Sequence, residues 1–307
     1  MNFFFDNSRV KLISVFFVFF LGVLLIFLFF FNVQKIKCSQ LGDFFFDKLL
    51  GMNSDCYERK MKGIVYPLIK NLDARYAYFE NKNIVNCPQN STVILISGQS
   101  NAANFLKTSK KYKNKHFNYF DGKCYNLSNP VLGAEGEMSS LTPAIASKLN
   151  SSSKIIFFTS GRGGITINHA NNDNKVFINY NKKALDDLEK NNNILKFFVW
   201  IQGESDTGNS KYYLDNFMSM FNNITKDLIN KDNINLIITQ TSRCFDKDDP
   251  KLRKVQKKIS MIRNKSIQVI NTDKLGNEFR YDKCHYNQQG IEKISFDISK
   301  IIKKLLR

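Results

Sequence analysis

The chain has 307 residues, 43% of them hydrophobic, which suits one α/β domain with a substantial core beside a membrane segment. Its formal net charge is +18, but Lys is scattered through the whole chain, without an arginine-rich tract or a nucleic-acid motif, which argues against a nucleic-acid partner. The cysteines (Cys38, Cys56, Cys87, Cys124, Cys244 and Cys284) contain no CxxC pair. That leaves a zinc site without support, and either disulfides of an oxidising compartment or free buried thiols as the reading.

Taken in order, residues 1–11 form a short tail. Residues 12–33 are an uncharged, almost wholly apolar run, long enough to cross a bilayer as a helix. The run is longer than a signal-peptide core and is followed by Gln34-Lys35-Ile36-Lys37, so it reads as an uncleaved single-pass anchor. Arg9 and Lys11 before the run are balanced by Lys35 and Lys37 after it, so the positive-inside bias is weak. The short amino-terminal tail and the cysteine count place the remaining domain outside the cytoplasm. Residues 34–91 read as a membrane-proximal segment, with short helices over Asp43–Leu50 and Lys60–Asn71 and with Cys56 and Cys87 placed to staple it.

From residue 92 the pattern becomes regular. Apolar runs at Val93–Ser97, Lys154–Thr159, Ile194–Ile201, Ile234–Thr239 and Ile267–Ile270 read as buried strands. Between them, helices are expected over Ala102–Lys107, Leu141–Leu149, Val176–Asn191, Ser210–Asn230, Lys251–Arg263 and Gln288–Leu306, and a polar loop through Asp121-Gly122-Lys123. Strands alternating with helices imply crossover connections. The expected fold is a three-layer α/β/α domain over 92–307 with a central parallel sheet of about five strands.

The chemistry-bearing residues fall after the strands. Gly98-Gln99-Ser100-Asn101 follows the first, Gly161-Arg162-Gly163-Gly164 the second and Gln202-Gly203-Glu204-Ser205-Asp206 the third, while Asp282-Lys283-Cys284-His285 precedes the last helix. Ligands of open α/β sheets bind outside the carboxyl ends of the strands, so all four clusters face one rim. Only three histidines are present. His116 lies in a lysine-rich loop and is expected to be solvated; His169 follows the glycine cluster and is a candidate for the cleft wall. His285 lies three residues after Asp282, a spacing that lets the carboxylate hold the imidazole while it takes a proton from Ser100. Cys244 and Cys284 fall on the same rim, within reach of a disulfide or left as two thiols.

Gly98-Gln99-Ser100-Asn101, Trp200-x-Gln202-Gly203-Glu204-Ser205-Asp206 and Asp282-x-x-His285 together resemble the motif set of the SGNH (GDSL-like) hydrolase superfamily, and more narrowly its sialate O-acetylesterase-like branch, which includes carbohydrate esterase family six. The resemblance covers roughly residues 92–306. It implies a flavodoxin-like fold and a serine esterase with Ser100 as nucleophile, His285 as base and Asp282 or Glu204 as the acid. It also implies an oxyanion hole from Ser100, Gly163 or Gly164 and the Gln202 amide, with no metal or cofactor. Asn101, Arg162 and His169 are the candidate substrate contacts, although Asn101 and Asp206 also read as braces of their loops. The implied substrate is an O-acetylated carbohydrate. The alternatives are a membrane-anchored glycan O-acetyltransferase beside glycan-assembly machinery, and a non-catalytic glycan-binding protein.

Overall fold

The computed structural model describes residues 82–149, 154–172, 176–262, 267–272 and 275–306, all within one compact unit, Ala74–Arg307. The expected anchor at 12–33, the expected helices at Asp43–Leu50 and Lys60–Asn71, Cys38 and Cys56 lie outside the described residues. Among the described residues no helix is long and apolar enough to cross a membrane.

The fold is mixed α/β, built on an eight-stranded sheet. Its strands are β1 (Ile84–Val85), β2 (Thr92–Gly98), β3 (Phe117–Phe120), β4 (Lys123–Asn126), β5 (Ile155–Thr159), β6 (Ile194–Ile201), β7 (Asn235–Thr239) and β8 (Ile267–Ile270), in the spatial order β1-β4-β3-β5-β2-β6-β7-β8. The helices are α1 (Thr142–Lys148), α2 (Ile167–Asn172), α3 (Val176–Glu189), α4 (Tyr213–Thr225), α5 (Pro250–Ile262) and α6 (Gln288–Leu305). From β3 to β8 every neighbouring pair is parallel, while β4 and β1 extend one edge with antiparallel pairing.

β2 lies at the centre, and its side chains show why. Val93 and Leu95 enter one buried cluster, with Phe177, Phe217, Phe221 and Leu252 of α3, α4 and α5. Ile94 and Ile96 enter the other, with Ile145, Ile291, Ile294 and Ile298 of α1 and α6. A strand buried on both faces needs a continuous apolar run rather than alternation. β6 keeps the same two-faced burial through a register shift opposite Val93 and Ile94. There Val93 faces Leu195 and Ile94 faces Phe197, so the exposed Lys196 is passed over and stays out of the core.

Three of the eight strands differ from expectation. β3 and β4 form a hairpin where a polar loop is expected; its turn is Asp121-Gly122, both in the left-handed region at φ 44° and 77°, which is the Asp-Gly hairpin signature. β1 joins β4 and is fastened by a Cys87–Cys124 disulfide, so Cys87 pairs with Cys124 and not with Cys56. The helix expected at Ala102–Lys107 is a single 3-10 turn, Ser100–Ala102, because Asn104 and Leu106 give their backbone N–H groups to Glu135 and Ser139 instead of to a helix. α2 is a helix that no periodicity announces. His116 is buried rather than solvated: Nδ1 accepts from Ile155 N–H at 3.2 Å and Nε2 lies 3.1 Å from Leu149 O, at the end of the sheet away from the loaded loops.

Candidate active site

The site is assembled at the carboxyl ends of β2, β5 and β6. Gly98 closes β2 at φ 141°, and a Cβ there would lie 2.0 Å from Ile201 O, so only glycine lets β2 and β6 run this close. The chain then turns through Gln99, whose N–H donates to Ile201 O at 2.9 Å. The buried Gln99 Oε1 accepts from the N–H groups of Gly203 and Ser205, both at 3.2 Å. The loops after β2 and β6 are thereby locked together, and Ser100 is presented at the start of the 3-10 turn.

His285 lies in the loop before α6, and that loop meets the turn through Tyr286. Its Nδ1 lies 2.6 Å from Asp282 Oδ2, while Asp282 Oδ1 accepts from the backbone N–H of His285 at 2.7 Å and of Cys284 at 3.0 Å. Partial burial pushes the Asp282 carboxyl up, but these hydrogen bonds outweigh it and hold the group below the ordinary aspartate value. An ionised Asp282 fixes the ring proton on Nδ1 and leaves Nε2 as the acceptor. Tyr286 N–H, one residue on, donates to Asn101 Oδ1 at 3.4 Å, so the residues that follow Ser100 and His285 are bonded to each other. Phe105 and Tyr281 each stack against the imidazole with ring centroids 6.0 Å apart, and the Tyr281 hydroxyl donates to Phe105 O at 3.0 Å. Cys284 is disulfide-bonded to Cys244, as its position on the rim allows, with Cα atoms 4.2 Å apart.

Other residues stand differently from expectation. Glu204 does not touch the histidine: its Oε1 accepts from the Ser242 hydroxyl at 2.7 Å and from Ser242 N–H at 3.3 Å, and His285 rests on Asp282 alone of the two candidate acids. Both N–H donors of the Gln202 amide are engaged, one by Ile165 O at 3.0 Å and one by Asp206 at 2.5 Å. Gln202 Oε1 accepts from the Tyr213 hydroxyl at 2.9 Å, and Tyr213 in turn accepts from Trp200 Nε1. Gln202 therefore has no donor left to aim at an oxyanion, and the motif around it is a buried brace. Burial pushes the Asp206 carboxyl up, and bonds from Gln202 and Ile167 N–H offset part of that rise. Burial likewise pushes the Tyr213 hydroxyl up.

Asn101 is fully buried, so it ties loops and offers no surface to a substrate. Gly163 is exposed, but its N–H donates to Glu135 Oε2 at 2.9 Å. A Cβ at Gly163 would meet the Phe105 ring at 3.1 Å, whereas Gly164, at φ 61°, faces open space. Arg162 donates its backbone N–H to Gly98 O at 3.0 Å and sets its guanidinium 5.9 Å from the Phe177 ring centre. His169 Nδ1 is 2.8 Å from the Thr166 hydroxyl. Gln99 is legible as part of its loop's motif, but not as the acceptor that ties that loop to the next; Phe105, Glu135 and Tyr281 are not singled out by the sequence, and Phe105 and Tyr281 carry no signal there beyond lying within a few residues of Ser100 and His285. Among the described residues no cluster of His, Cys, Asp and Glu is arranged to hold a metal ion.

Two solved structures share the fold: a protein of Arabidopsis thaliana (TM-score 0.55, 14% identity, covering 69% of this chain and 97% of that one) and NanS (TM-score 0.51, 14% identity, covering 72% and 99%). No curated protein matches the chain in sequence. A family model described as carbohydrate esterase, sialic acid-specific acetylesterase (SASA), matches residues 136–301, a stretch that contains Gly163, Gln202, Glu204, Asp282 and His285 and begins after Ser100. The chain belongs to this SASA family and is a carboxylic ester hydrolase of the SGNH, sialate O-acetylesterase-like kind.

Proposed function

We propose that the domain is a serine esterase that removes O-acetyl groups from a carbohydrate, with Ser100, His285 and Asp282 as its triad. The observation that carries the reading is the Asp282-held imidazole on a loop bonded, through Asn101 and Tyr286, to the turn that presents Ser100. In this reading Ser100 Oγ attacks the acetyl carbonyl while His285 Nε2 takes its proton. The tetrahedral intermediate collapses as His285 returns that proton to the sugar oxygen, which leaves as an alcohol and leaves Ser100 acetylated. A water activated by the same nitrogen then releases acetate.

The oxyanion is assigned to backbone N–H groups of Ser100 and of the Gly163-Gly164 turn. At Gly163 it would take the place that the Glu135 carboxylate holds in this structure. One such donor is typically worth about 100- to 1,000-fold in rate. Two disulfides in one domain support an oxidising compartment, and with it an extracytoplasmic domain held by an anchor at 12–33.

The test is acetate release by the full chain from an aryl acetate and from an O-acetylated glycan, with Ser100→Ala and His285→Ala alongside. Release that falls about 10,000-fold or more in both variants supports the reading. Folded wild type that releases acetate from neither substrate, or an S100A variant of undiminished rate, overturns it.

A further inference from the structure

The loop that carries His285 closes on itself. Arg280 and Tyr286 form an antiparallel bridge, and Tyr281 N–H donates to His285 O at 3.1 Å. Within this ring Cys284 is fastened at three points: its N–H by Asp282, its sulfur by Cys244 and its carbonyl by the Arg280 Nη1 donor. That carbonyl belongs to the peptide that enters His285, so whatever holds it sets the torsion from which the imidazole projects. Lys283, between the two functional residues, sits in the left-handed region at φ 68°, a conformation a lysine keeps only where its surroundings impose it.

Arg280 is an unusual residue to find there. It is 5% exposed, its guanidinium lies 5.0 Å from the Tyr286 ring centre, and neither Nε nor Nη2 meets a hydrogen-bond partner among the described residues. Glu204 Oε2 is buried without a hydrogen-bond partner as well. Burial pushes the Tyr286 hydroxyl up; Arg280 pulls it down and Glu204 pushes it up. Burying a charge is costly, and a neutral side chain would fill the same volume at lower cost. Besides its place over the Tyr286 ring, the cation gives the Cys284 carbonyl a charge-assisted hydrogen bond that no neutral donor matches.

We infer that Arg280 is a positioning residue for the reaction, acting through the Cys284 carbonyl to hold His285 on Asp282 and towards Ser100. The inference rests on the triad proposed above. It predicts an effect on turnover rather than on substrate binding, because a small displacement of the base at the reacting centre costs about 100-fold while remote substrate contacts are untouched.

The experiment compares kcat and KM of the full chain on an aryl acetate for wild type, Arg280→Ala, Arg280→Lys and His285→Ala, each well below its melting temperature. The expected result for R280A is a kcat lowered about 10- to 100-fold at a KM within about twofold of wild type. R280K, which keeps a cationic donor, recovers part of the rate. Millimolar guanidinium chloride restores R280A, and the same concentration of sodium chloride does not. Wild-type kcat in R280A overturns the inference, and so does a loss that neither R280K nor guanidinium relieves. If R280A does not fold, Arg280→Met, which fills the space without a donor, takes its place: a kcat below that of R280K at unchanged KM supports the role, and a wild-type kcat overturns it. An active H285A variant would instead sink the esterase reading itself, whereas inactive H285A beside a fully active R280A removes only the role of Arg280.

Discussion

At the scale of single residues, the site separates two carboxylates that are both candidates for the acid in the sequence, Asp282 by its spacing from His285 and Glu204 by its motif. Asp282 spends both oxygens on the His285 segment, one on the ring and one on two backbone N–H groups. Glu204 spends one oxygen on Ser242 and keeps the other buried. Asp282→Asn offers the ring an amide in place of a carboxylate, so the imidazole takes the wrong tautomer, and kcat falls about 1,000- to 10,000-fold. Glu204→Gln keeps the volume and an acceptor for Ser242, and the expected loss is about tenfold or less. Steady-state kinetics of the two variants on one aryl acetate check this; equal losses would mean that Glu204 takes part in the proton relay. The pairing of Asp282 with His285 was legible from their spacing, but the Ser242 partner of Glu204 was not, because it lies 38 residues on. Gln202 makes the same point: the motif that marks it says nothing of where its two N–H bonds go, and Ile165 O and Asp206 take both.

At the scale of elements, legibility followed burial. The strands buried on both faces (β2, β5, β6 and β7) announce themselves as unbroken apolar runs. β3 and β4 do not, because Asn118 is buried on hydrogen bonds from its amide to Tyr119 O and Leu132 O, while Lys123 and Asn126 face solvent on an antiparallel edge. The two disulfides close loops of similar size, with sequence separations of 37 and 40, so each contributes comparable stability, about 2–4 kcal/mol. Their positions differ. Cys87–Cys124 fastens the edge strand, whereas Cys244–Cys284 ends one residue before His285. Replacing Cys87 and Cys124 by Ser is expected to lower the melting temperature and leave kcat within about twofold, since none of the proposed triad residues lies on that edge. Replacing Cys244 and Cys284 is expected to lower the melting temperature by a similar amount and also to lower kcat about tenfold or more, because the proposed base, His285, loses one of its loop's fastenings. Melting curves and kinetics measured on both double variants separate the two effects; equal kcat values would show that the His285 loop holds its shape without the bridge.

At the scale of the whole molecule, one carboxylate joins three parts of the domain on the face opposite the α2–α5 layer. Glu292, in the second turn of α6, receives Lys110 at 2.7 Å and the Tyr112 hydroxyl at 3.1 Å from the loop before β3, and Lys148 at 2.5 Å from the end of α1. Partial burial pushes the Glu292 carboxyl up, but the bonds from Lys110, Lys148 and Tyr112 outweigh it and hold it at about 2 instead of 4.5. Because the folded value lies below the unfolded one, the contribution to stability is complete above pH 4.5 and drains away as the pH falls towards 2. The Glu292 side chain keeps about a third of its surface exposed, so solvent screening reduces the contribution to about 1 kcal/mol, or about 2–4 °C in melting temperature for a domain of this size. Glu292→Gln is therefore expected to melt that much below wild type at pH 7, and the gap narrows steadily between pH 4.5 and pH 3. A gap that stays constant over that range would show that the amide loses packing rather than charge, and that the lysines of the loop and of α1 are held by something other than this carboxylate. The rate on an aryl acetate at pH 7 is expected to be unchanged by this substitution, because Glu292 anchors the amino-terminal part of α6 from the side of α1 while His285 is held from within its own loop.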